Sequence, residues 1–389
     1  MTLCDRERCT GCGACAASCP QNSITMVPDE EGFLRPSVVE TCIECGSCRD
    51  ACPVLQPGAP AEGGTTAYAA ANQDRAARLA SSSGGIFSLL ARWVLTQGGS
   101  VFGAAYGRDF AVVHRRASSL EELEALRKAK YAQSDLGGCF RQVKELLEGG
   151  EQVLFTGTPC QTEGLRTFLG RPYDGLLLVD TICHGVPSPR VWQRYISYRR
   201  EQDAGGAQPV AIDLRSKETG WPGYSIRFGY EGGASYSARN GQDPYLRCFV
   251  GDLCLRPSCY RCPFKGIERP CDFTLGDYWG IWDQLPGFDD GMGSSLVLIH
   301  SDKARRLWEE LQPQMTCREV LLPQALRENP SALRASALPA GREAFMDRYE
   351  EEDFQALVDE LLPRLQPSNK PSLLQRGLGK IKRSLLGGR

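Results

Sequence analysis

Two cysteine runs with the same spacing restrict what this chain can fold into more than any other feature. The first run is Cys9, Cys12, Cys15 and Cys19 followed by Pro20, and the second is Cys42, Cys45, Cys48 and Cys52 followed by Pro53. Both follow the pattern C-x2-C-x2-C-x3-C-P, which is typical of bacterial ferredoxins with two clusters. The repeated run predicts two [4Fe-4S] clusters in an N-terminal ferredoxin-like module.

The fourth cysteine of each run is expected to reach across to the other cluster. The predicted ligand sets are therefore Cys9, Cys12, Cys15 and Cys52 for one cluster, and Cys42, Cys45, Cys48 and Cys19 for the other. A pair of structural Cys4 zinc sites is the alternative, but these usually place two C-x2-C pairs farther apart. The spacing favours iron–sulfur clusters, and Cys4, which lies outside both runs, is predicted to be a free thiol.

Length and charge narrow the class of protein. A chain of 389 residues exceeds the usual size of a single core, so more than one folding unit is expected. A net charge of -2 gives no electrostatic case for binding nucleic acid. The N-terminus lacks a secretory signal, and no apolar stretch is long enough to span a membrane. Eighteen cysteines in such a chain indicate metal rather than disulfides, and a cytoplasmic location is expected.

The order of apolar runs predicts the fold class of the remainder. Strands are predicted at 99–106, 152–155 and 175–181, and helices at 136–147, 187–200 and 354–365. We therefore expect an α+β ferredoxin-like dicluster module fused to an α/β domain with a mixed sheet, followed by a helical C-terminal tail. The expected divisions are a module at 1–56, a linker at 57–66, a main domain at 67–330 and a C-terminal extension at 331–389.

Two segments carry no firm structural prediction. Residues 218–243 are rich in Gly, Tyr and Ser, which suits either a hairpin or a loop at the active site. Residues 369–389 contain several Lys and Arg and no acidic residue. This tail is interpreted as a solvated terminus, with a helix that contacts a membrane surface or a partner as the alternative.

A second group of cysteines follows the predicted strands. Cys160 and Cys183 each come directly after a strand, so both are expected at one edge of the sheet, where α/β proteins concentrate ligand contacts. Cys259 and Cys262 form a C-x2-C pair farther along the chain. Together these four thiols predict a third [4Fe-4S] site. Cys139, Cys248 and Cys317 match no motif and are expected to be free cysteines.

The segment 81–85, Ser-Ser-Ser-Gly-Gly, precedes an apolar helical run. Small residues at this position could expose the amides of a helix N-terminus to a phosphate. A serine-rich N-cap without a ligand is the alternative.

These motifs occur together in one order, and with them the chain resembles the coenzyme F420 hydrogenase/dehydrogenase beta-subunit family, in the bacterial branch with a fused ferredoxin dicluster. The matching stretches are 82–88 (SSGGIFS), 130–134 (KYAQS), 156–161 (TGTPCQ), 183–189 (CHGVPSP), 215–224 (RSKETGWPGY), 256–262 (RPSCYRC) and 274–281 (TLGDYWGI). The chain departs from the family pattern at Lys128 and Ala129, where similar sequences usually have Gly-Ser.

The resemblance implies FAD and one further [4Fe-4S] cluster. The main domain would then be an α/β flavin and iron–sulfur domain. Its implied cluster ligands are Cys160, Cys183, Cys259 and Cys262. Cys254 and Cys271 are alternatives, because the spacing C-x4-C-x2-C-x8-C is itself a plausible ligand string. Its implied flavin contacts are Ser83, Gly84, Gly85, Lys130, Gly157, Thr158 and Asp277. Lys130 could equally be a solvated surface lysine. His184 and Lys130 are the candidate catalytic residues, and the alternative for His184 is a hydrogen bond to a cluster sulfur.

The expected function is electron transfer between ferredoxin-type clusters and FAD, coupled to reduction or oxidation of a small-molecule substrate or an F420-like cofactor. A ferredoxin or another redox protein is the expected partner. The alternatives are a non-catalytic electron-transfer subunit that serves a separate enzyme and, ranked below it, an iron–sulfur sensor. No catalytic triad or carboxylate pair indicates hydrolysis.

Overall fold

The computed structural model describes residues 3–59 and 64–362. Four residues of the expected linker and the basic tail therefore lie outside the described residues. The strands are β1 Ile24–Pro28, β2 Leu34–Val38, β3 Thr66–Asn72, β4 Ser100–Tyr106, β5 Val112–Ala117, β6 Val153–Gly157, β7 Leu176–Thr181, β8 Pro209–Ser216, β9 Ser225–Tyr230, β10 Ser235–Arg239, β11 Phe273–Asp277, β12 Ser295–Ile299 and β13 Met315–Val320.

The α-helices alternate with these strands through most of the chain. They are α1 Ala14–Ser18, α2 Ser47–Asp50, α3 Arg75–Leu79, α4 Ile86–Thr96, α5 Leu120–Leu123, α6 Cys139–Glu148, α7 Pro159–Leu169, α8 Pro189–Ala204, α9 Pro244–Val250, α10 Ile281–Gln284, α11 Asp302–Leu311, α12 Leu322–Ala325, α13 Arg342–Arg348 and α14 Phe354–Leu361. The predicted strands and helices of the main domain are confirmed, with boundaries that differ by a few residues. No helix of the described chain combines the length and apolar character needed to cross a bilayer.

The N-terminal module has the α+β organisation expected from the cysteine runs. Strands β1 and β2 pair in antiparallel fashion, and a short helix begins within each run. Gly13 and Gly46 precede these helices with φ angles of 74° and 84°. This left-handed backbone favours glycine, and it turns the chain sharply between successive cysteines.

The main domain is built on an eight-stranded mixed sheet of order β13-β3-β12-β11-β7-β6-β4-β5. Four consecutive strands, β11, β7, β6 and β4, are parallel to one another, and every other neighbouring pair is antiparallel. The carboxyl ends of parallel strands meet at one edge of a sheet, where α/β proteins bind ligands. The mixed α/β sheet predicted from the sequence is confirmed.

The dicluster module and the sheet share one hydrophobic core. Cys12, Ala14 and Ala51 of the module are buried with Phe140 of α6 and Leu165 of α7. The opposite face of the sheet is covered by α4 and α11 in a separate apolar cluster. The module is thus packed onto the helix that begins beside Cys160.

The segment 218–243 forms part of a second, three-stranded antiparallel sheet of order β10-β9-β8. Its inner face packs on an aromatic cluster that includes Trp192, Tyr195 and Tyr245. Phe345 and Phe354, from α13 and α14, are buried in the same cluster. The helix predicted at 354–365 ends at Leu361 in the structure. Its apolar side is buried in this aromatic cluster.

Candidate iron–sulfur centres and the adjoining sheet edge

One cavity in the N-terminal module is lined by cysteines of both runs. It has an empty volume of about 390 Å³, and its thiols are Cys4, Cys9, Cys12, Cys15, Cys48 and Cys52. Cys52 therefore lies with Cys9, Cys12 and Cys15, and so does Cys48, which was predicted to hold the other cluster. Cys4, predicted to be a free thiol, lies in the wall of the same cavity, and burial raises its pKa to about 12.

The second predicted set lies nearer the surface. Burial raises the pKa of Cys48, and the neighbouring Cys42 and Cys45 raise it further. Cys19 Sγ accepts a hydrogen bond of 3.2 Å from the backbone N–H of Ser23. Cys45 is exposed, so this end of the module faces solvent.

The donor chemistry of the first cavity fits an iron–sulfur cluster. Burial raises the pKa of Cys15 to about 12, and the proximity of Cys9 and Cys52 adds to the rise. Iron would compensate such crowded thiolates, because a metal binds the deprotonated form. Within residues 3–59 and 64–362, no three His, Cys, Asp or Glu side chains converge tightly enough for a single ion. A four-iron cube is larger than one ion and takes its four thiolates at separate corners.

The second cysteine group also surrounds a single cavity. Cys160, Cys183, Cys259 and Cys262 all line a space with an empty volume of about 430 Å³. Cys160 lies in the first turn of α7, and Cys183 follows the end of β7. The other two cysteines lie on or next to the 3-10 helix Pro257–Arg261. The sheet edge and this turn thus bring together residues that are up to about a hundred positions apart.

The four thiols of this cavity influence one another electrostatically. Burial raises the pKa of Cys160 to about 12, and Cys262 and Cys183 raise it further. Burial raises the pKa of Cys183 to about 11, although the nearby Lys265 opposes the shift. Iron would compensate these crowded thiolates as well, so this donor set fits a third cluster.

The two alternative ligands lie outside this cavity lining. Cys254 is fully buried and lies beside Cys248 in the aromatic core. Cys271 Sγ lies 3.7 Å from Thr274 Oγ1 and 3.5 Å from the carbonyl oxygen of Phe273. Both thiols pack in the protein interior.

The cavity of Cys160, Cys183, Cys259 and Cys262, called the third cavity here because it would hold the third cluster, is adjacent to the first. Thr10 and Arg256 line the third cavity, and Thr10 also lines the first. Arg256 Nε donates to the carbonyl oxygen of Cys9 at 2.8 Å, and its Nη2 lies 3.7 Å from Cys9 Sγ. Gln133 accepts from Arg256 Nη1 at 2.7 Å and donates to the carbonyl oxygen of Thr10 at 2.8 Å. Sequence analysis missed both Arg256 and Gln133, although each lies within a family-like stretch.

The Ser-Gly-Gly segment lies at the same sheet edge, ahead of α4. The Gly84 N–H donates to Ser295 Oγ at 3.0 Å, and a Cβ at Gly84 would lie 2.4 Å from the carbonyl oxygen of Ala70. Ser83 Oγ donates to the carbonyl oxygen of Ser294 at 2.9 Å. Gly85 has a φ of 81°. Packing alone therefore requires glycine at position 84, and the Ser83 hydroxyl is already hydrogen-bonded within the protein.

Lys130 is partly enclosed rather than fully solvated. Its ammonium donates to the carbonyl oxygens of Ala125 and Arg127, at 2.9 and 2.5 Å. Burial lowers its pKa to about 7, and Lys128 also lowers it. Lys128 has a φ of 65°, in the region that favours glycine, which agrees with the glycine that the family pattern has at this position.

Asp277, at the end of β11, is held by two partners. It forms an ion pair with Arg215 at 2.9 Å and accepts from Trp221 Nε1 at 2.8 Å. Arg215 also donates to the carbonyl oxygen of Ser82 at 3.1 Å. Lys217 Nζ donates to the carbonyl oxygen of Ser83 at 2.6 Å, and burial lowers its pKa to about 7. Sequence analysis missed the two cations Arg215 and Lys217, which support the serine loop.

Gly157 and Thr158 end β6 and begin α7. Thr158 Oγ1 lies 3.2 Å from Cys160 Sγ, and the Thr158 N–H donates to Gln161 Oε1 at 2.9 Å. A Cβ at Gly157 would lie 2.9 Å from the same Gln161 oxygen. Thr158 therefore contacts one of the proposed cluster ligands.

His184 lines the third cavity, and both of its ring nitrogens face polar atoms. Nε2 lies 2.6 Å from Asp252 Oδ1, and Nδ1 lies 3.3 Å from Ser331 Oγ. The ring packs edge-on against Phe249. This arrangement orients the imidazole beside the four thiols.

Comparison with known proteins agrees with this architecture. Residues 150–320 match the family model for the C terminus of the beta subunit of coenzyme F420 hydrogenase/dehydrogenase, and residues 8–55 match the model for a 4Fe-4S dicluster domain. No curated protein sequence matches the chain. A solved structure of the F420-reducing [NiFe] hydrogenase complex from Methanosarcina barkeri, derivatised with xenon, aligns with a TM-score of 0.46 and 17% identity over 68% of this chain and 88% of that chain. Over residues 150–320 the chain is therefore similar to the beta subunits of coenzyme F420 hydrogenase/dehydrogenase, and at residues 8–55 it has a 4Fe-4S dicluster domain.

Proposed function

We propose that the protein is an iron–sulfur flavoprotein oxidoreductase. It passes electrons between ferredoxin-type [4Fe-4S] clusters and FAD, and so reduces or oxidises a small-molecule substrate or an F420-like cofactor. The observation that carries this proposal is the adjacency of three regions. The first cysteine cavity adjoins the cavity of Cys160, Cys183, Cys259 and Cys262, which in turn adjoins the sheet edge through Thr158.

When bound, the clusters would supply one-electron transfer and FAD would supply conversion between one-electron and two-electron chemistry. The cysteines of both runs and the four cysteines of the third cavity would hold the clusters. Lys217 places a half-buried amine behind Ser83, while Arg215, which donates to the carbonyl oxygen of Ser82, is compensated by Asp277. The protonated form of Lys217 suits a phosphate-bearing cofactor at this loop, with Gly84, Gly85 and Asp277 as its neighbours.

Two groups can move a proton near this edge. Because burial lowers the pKa of Lys130 to about 7, its amine can both hold and release a proton at neutral pH. His184 is oriented by Asp252 and lies beside the third cavity. We assign proton transfer to Lys130 and retain two roles for His184, as a proton donor or as a hydrogen-bond partner of a cluster sulfur.

A second candidate is a non-catalytic electron-transfer subunit. The matched family model describes a beta subunit, and Cys45 is exposed at the surface of the dicluster module. An exposed ligand would allow a ferredoxin or another redox protein to approach the cluster closely. A stable complex with a second polypeptide, and no turnover without it, would support this candidate.

The first test is anaerobic purification followed by quantification of iron, sulfide and flavin on one sample. About twelve irons and one FAD per chain are expected for three cubes and a flavin. About eight irons without flavin would contradict the proposal and favour an electron carrier.

Single cysteine variants would then identify the third cluster. Cys160→Ala is expected to lose about four irons, because the cube would lack one of its thiolates. Two cysteines that do not line the third cavity serve as controls. Cys271→Ser tests an alternative ligand, and Cys317→Ser changes a cysteine of β13 that matches no motif. Iron loss in Cys271→Ser but not in Cys160→Ala would contradict the assigned ligand set.

A further inference from the structure

Arg256 differs from the other buried arginines in its charge compensation. Six arginines of the described chain are buried. Five of them form ion pairs with a carboxylate, namely Arg35 with Asp29, Arg78 with Asp290, Arg199 with Asp203, Arg215 with Asp277 and Arg269 with Asp180. Arg256 is 0% exposed and has no carboxylate within ion-pair distance among the residues that the structure describes.

The neighbours of Arg256 are neutral groups and cysteine. Its guanidinium donates to the carbonyl oxygens of Cys9 and Leu34, at 2.8 and 2.9 Å, and to Gln133 Oε1. It also lies 5.3 Å from the ring centroid of Phe33. These contacts satisfy its hydrogen bonds but supply no opposite charge. An uncompensated buried ion costs several kcal/mol, so a negative group is expected nearby.

The negative groups available are the two cysteine sites. Arg256 Nη2 lies 3.7 Å from Cys9 Sγ in the first site, and the same side chain lines the third cavity. A cluster bound by four thiolates is anionic, and it becomes more negative when it is reduced.

We propose that Arg256 is a shared counter-ion of the first and third clusters and that it raises the reduction potentials of both. The proposal deepens the proposed function and, for the third cluster, rests on it. The guanidinium of Arg256 contacts Cys9 of the first site and lines the third cavity, so it would lie close to an electron added to either cluster. One fixed cation therefore stabilises the added charge on either side.

The test is a redox titration of the anaerobic holoprotein, followed by electron paramagnetic resonance. Arg256→Gln is expected to make both clusters at least about tenfold harder to reduce, which corresponds to a fall of about 59 mV in a one-electron potential. Arg256→Lys is expected to restore part of the shift, because it keeps the charge. The cluster of Cys42 and Cys45 serves as an internal reference, since none of the contacts of Arg256 above reaches these residues. Unchanged potentials in Arg256→Gln would overturn the proposal.

Gln133 provides two matched variants if Arg256→Gln fails to fold. Gln133→Glu is nearly isosteric and places a carboxylate against the guanidinium, so it is expected to lower the same two potentials. Gln133→Leu removes the hydrogen bonds without adding charge and is expected to leave the potentials near those of the wild type. Equal shifts in both Gln133 variants would overturn the electrostatic role. Wild-type protein with about eight irons would instead contradict the third cluster, while the first cluster would still test the effect of Arg256.

Discussion

Gly164 provides a test of how the dicluster module is seated on the main domain. It lies in α7, four residues after Cys160, and a Cβ at this position would lie 2.9 Å from Cys12 Sγ and 3.0 Å from Cys12 Cβ. Nonbonded heavy atoms are most stable at about 3.5–4.0 Å, so Gly164→Ala must displace Cys12 by roughly 0.5–1 Å. Ligand distances in a metal site tolerate only about 0.2 Å, so the cluster that Cys12 is proposed to hold should become labile.

The expected result is the loss of about four of about twelve irons, or a changed signal from one cluster, with the remaining clusters intact. Alanine in a helix interior is otherwise favoured over glycine by about 1 kcal/mol, so a weakened helix would not explain the loss. Gly241→Ala is the control, because a Cβ added there would have no atom within 4 Å and the φ of Gly241 is not positive. Full iron content and unchanged resonance spectra in Gly164→Ala would refute either the role of Cys12 as a ligand or its contact with α7.

Two further predictions concern the sheet edge. Since burial lowers the pKa of Lys130 from 10.5 to about 7, the unfolded chain binds more protons between these values, and stability should rise with pH across that window. Thermal unfolding of Lys130→Met should show a smaller rise, and equal pH slopes would contradict the shift. Asp277→Asn leaves the buried Arg215 uncompensated and should cost about 3–5 kcal/mol, which a lower unfolding temperature would report. Glu218→Gln, which breaks the exposed pair with Arg227, should cost about 1 kcal/mol or less, and equal losses in the two variants would contradict the role of burial.

Local spacing was sufficient to predict the dicluster module. Three of the four predicted ligands of each cluster come from a loop of a few residues, and a glycine that turns the loop lies between them, Gly13 in one run and Gly46 in the other. The same holds for three strands of the mixed sheet, β4, β6 and β7, because each of these apolar runs is short and is bounded by turn residues. Cys160 and Cys183 could be placed at one sheet edge because each follows a parallel strand directly.

The tertiary structure alone decided which distant residues meet. It separates Cys254 and Cys271 from the third cavity, although their spacing resembles a ligand string. It also places Arg256 on Cys9, 247 positions away, and Gly164 on Cys12. Neither contact has a local signal, because no periodicity or short motif relates residues that meet only when separate elements pack. The sequence by itself determined the chemistry of the ligands, and packing determined the charges and contacts that surround them.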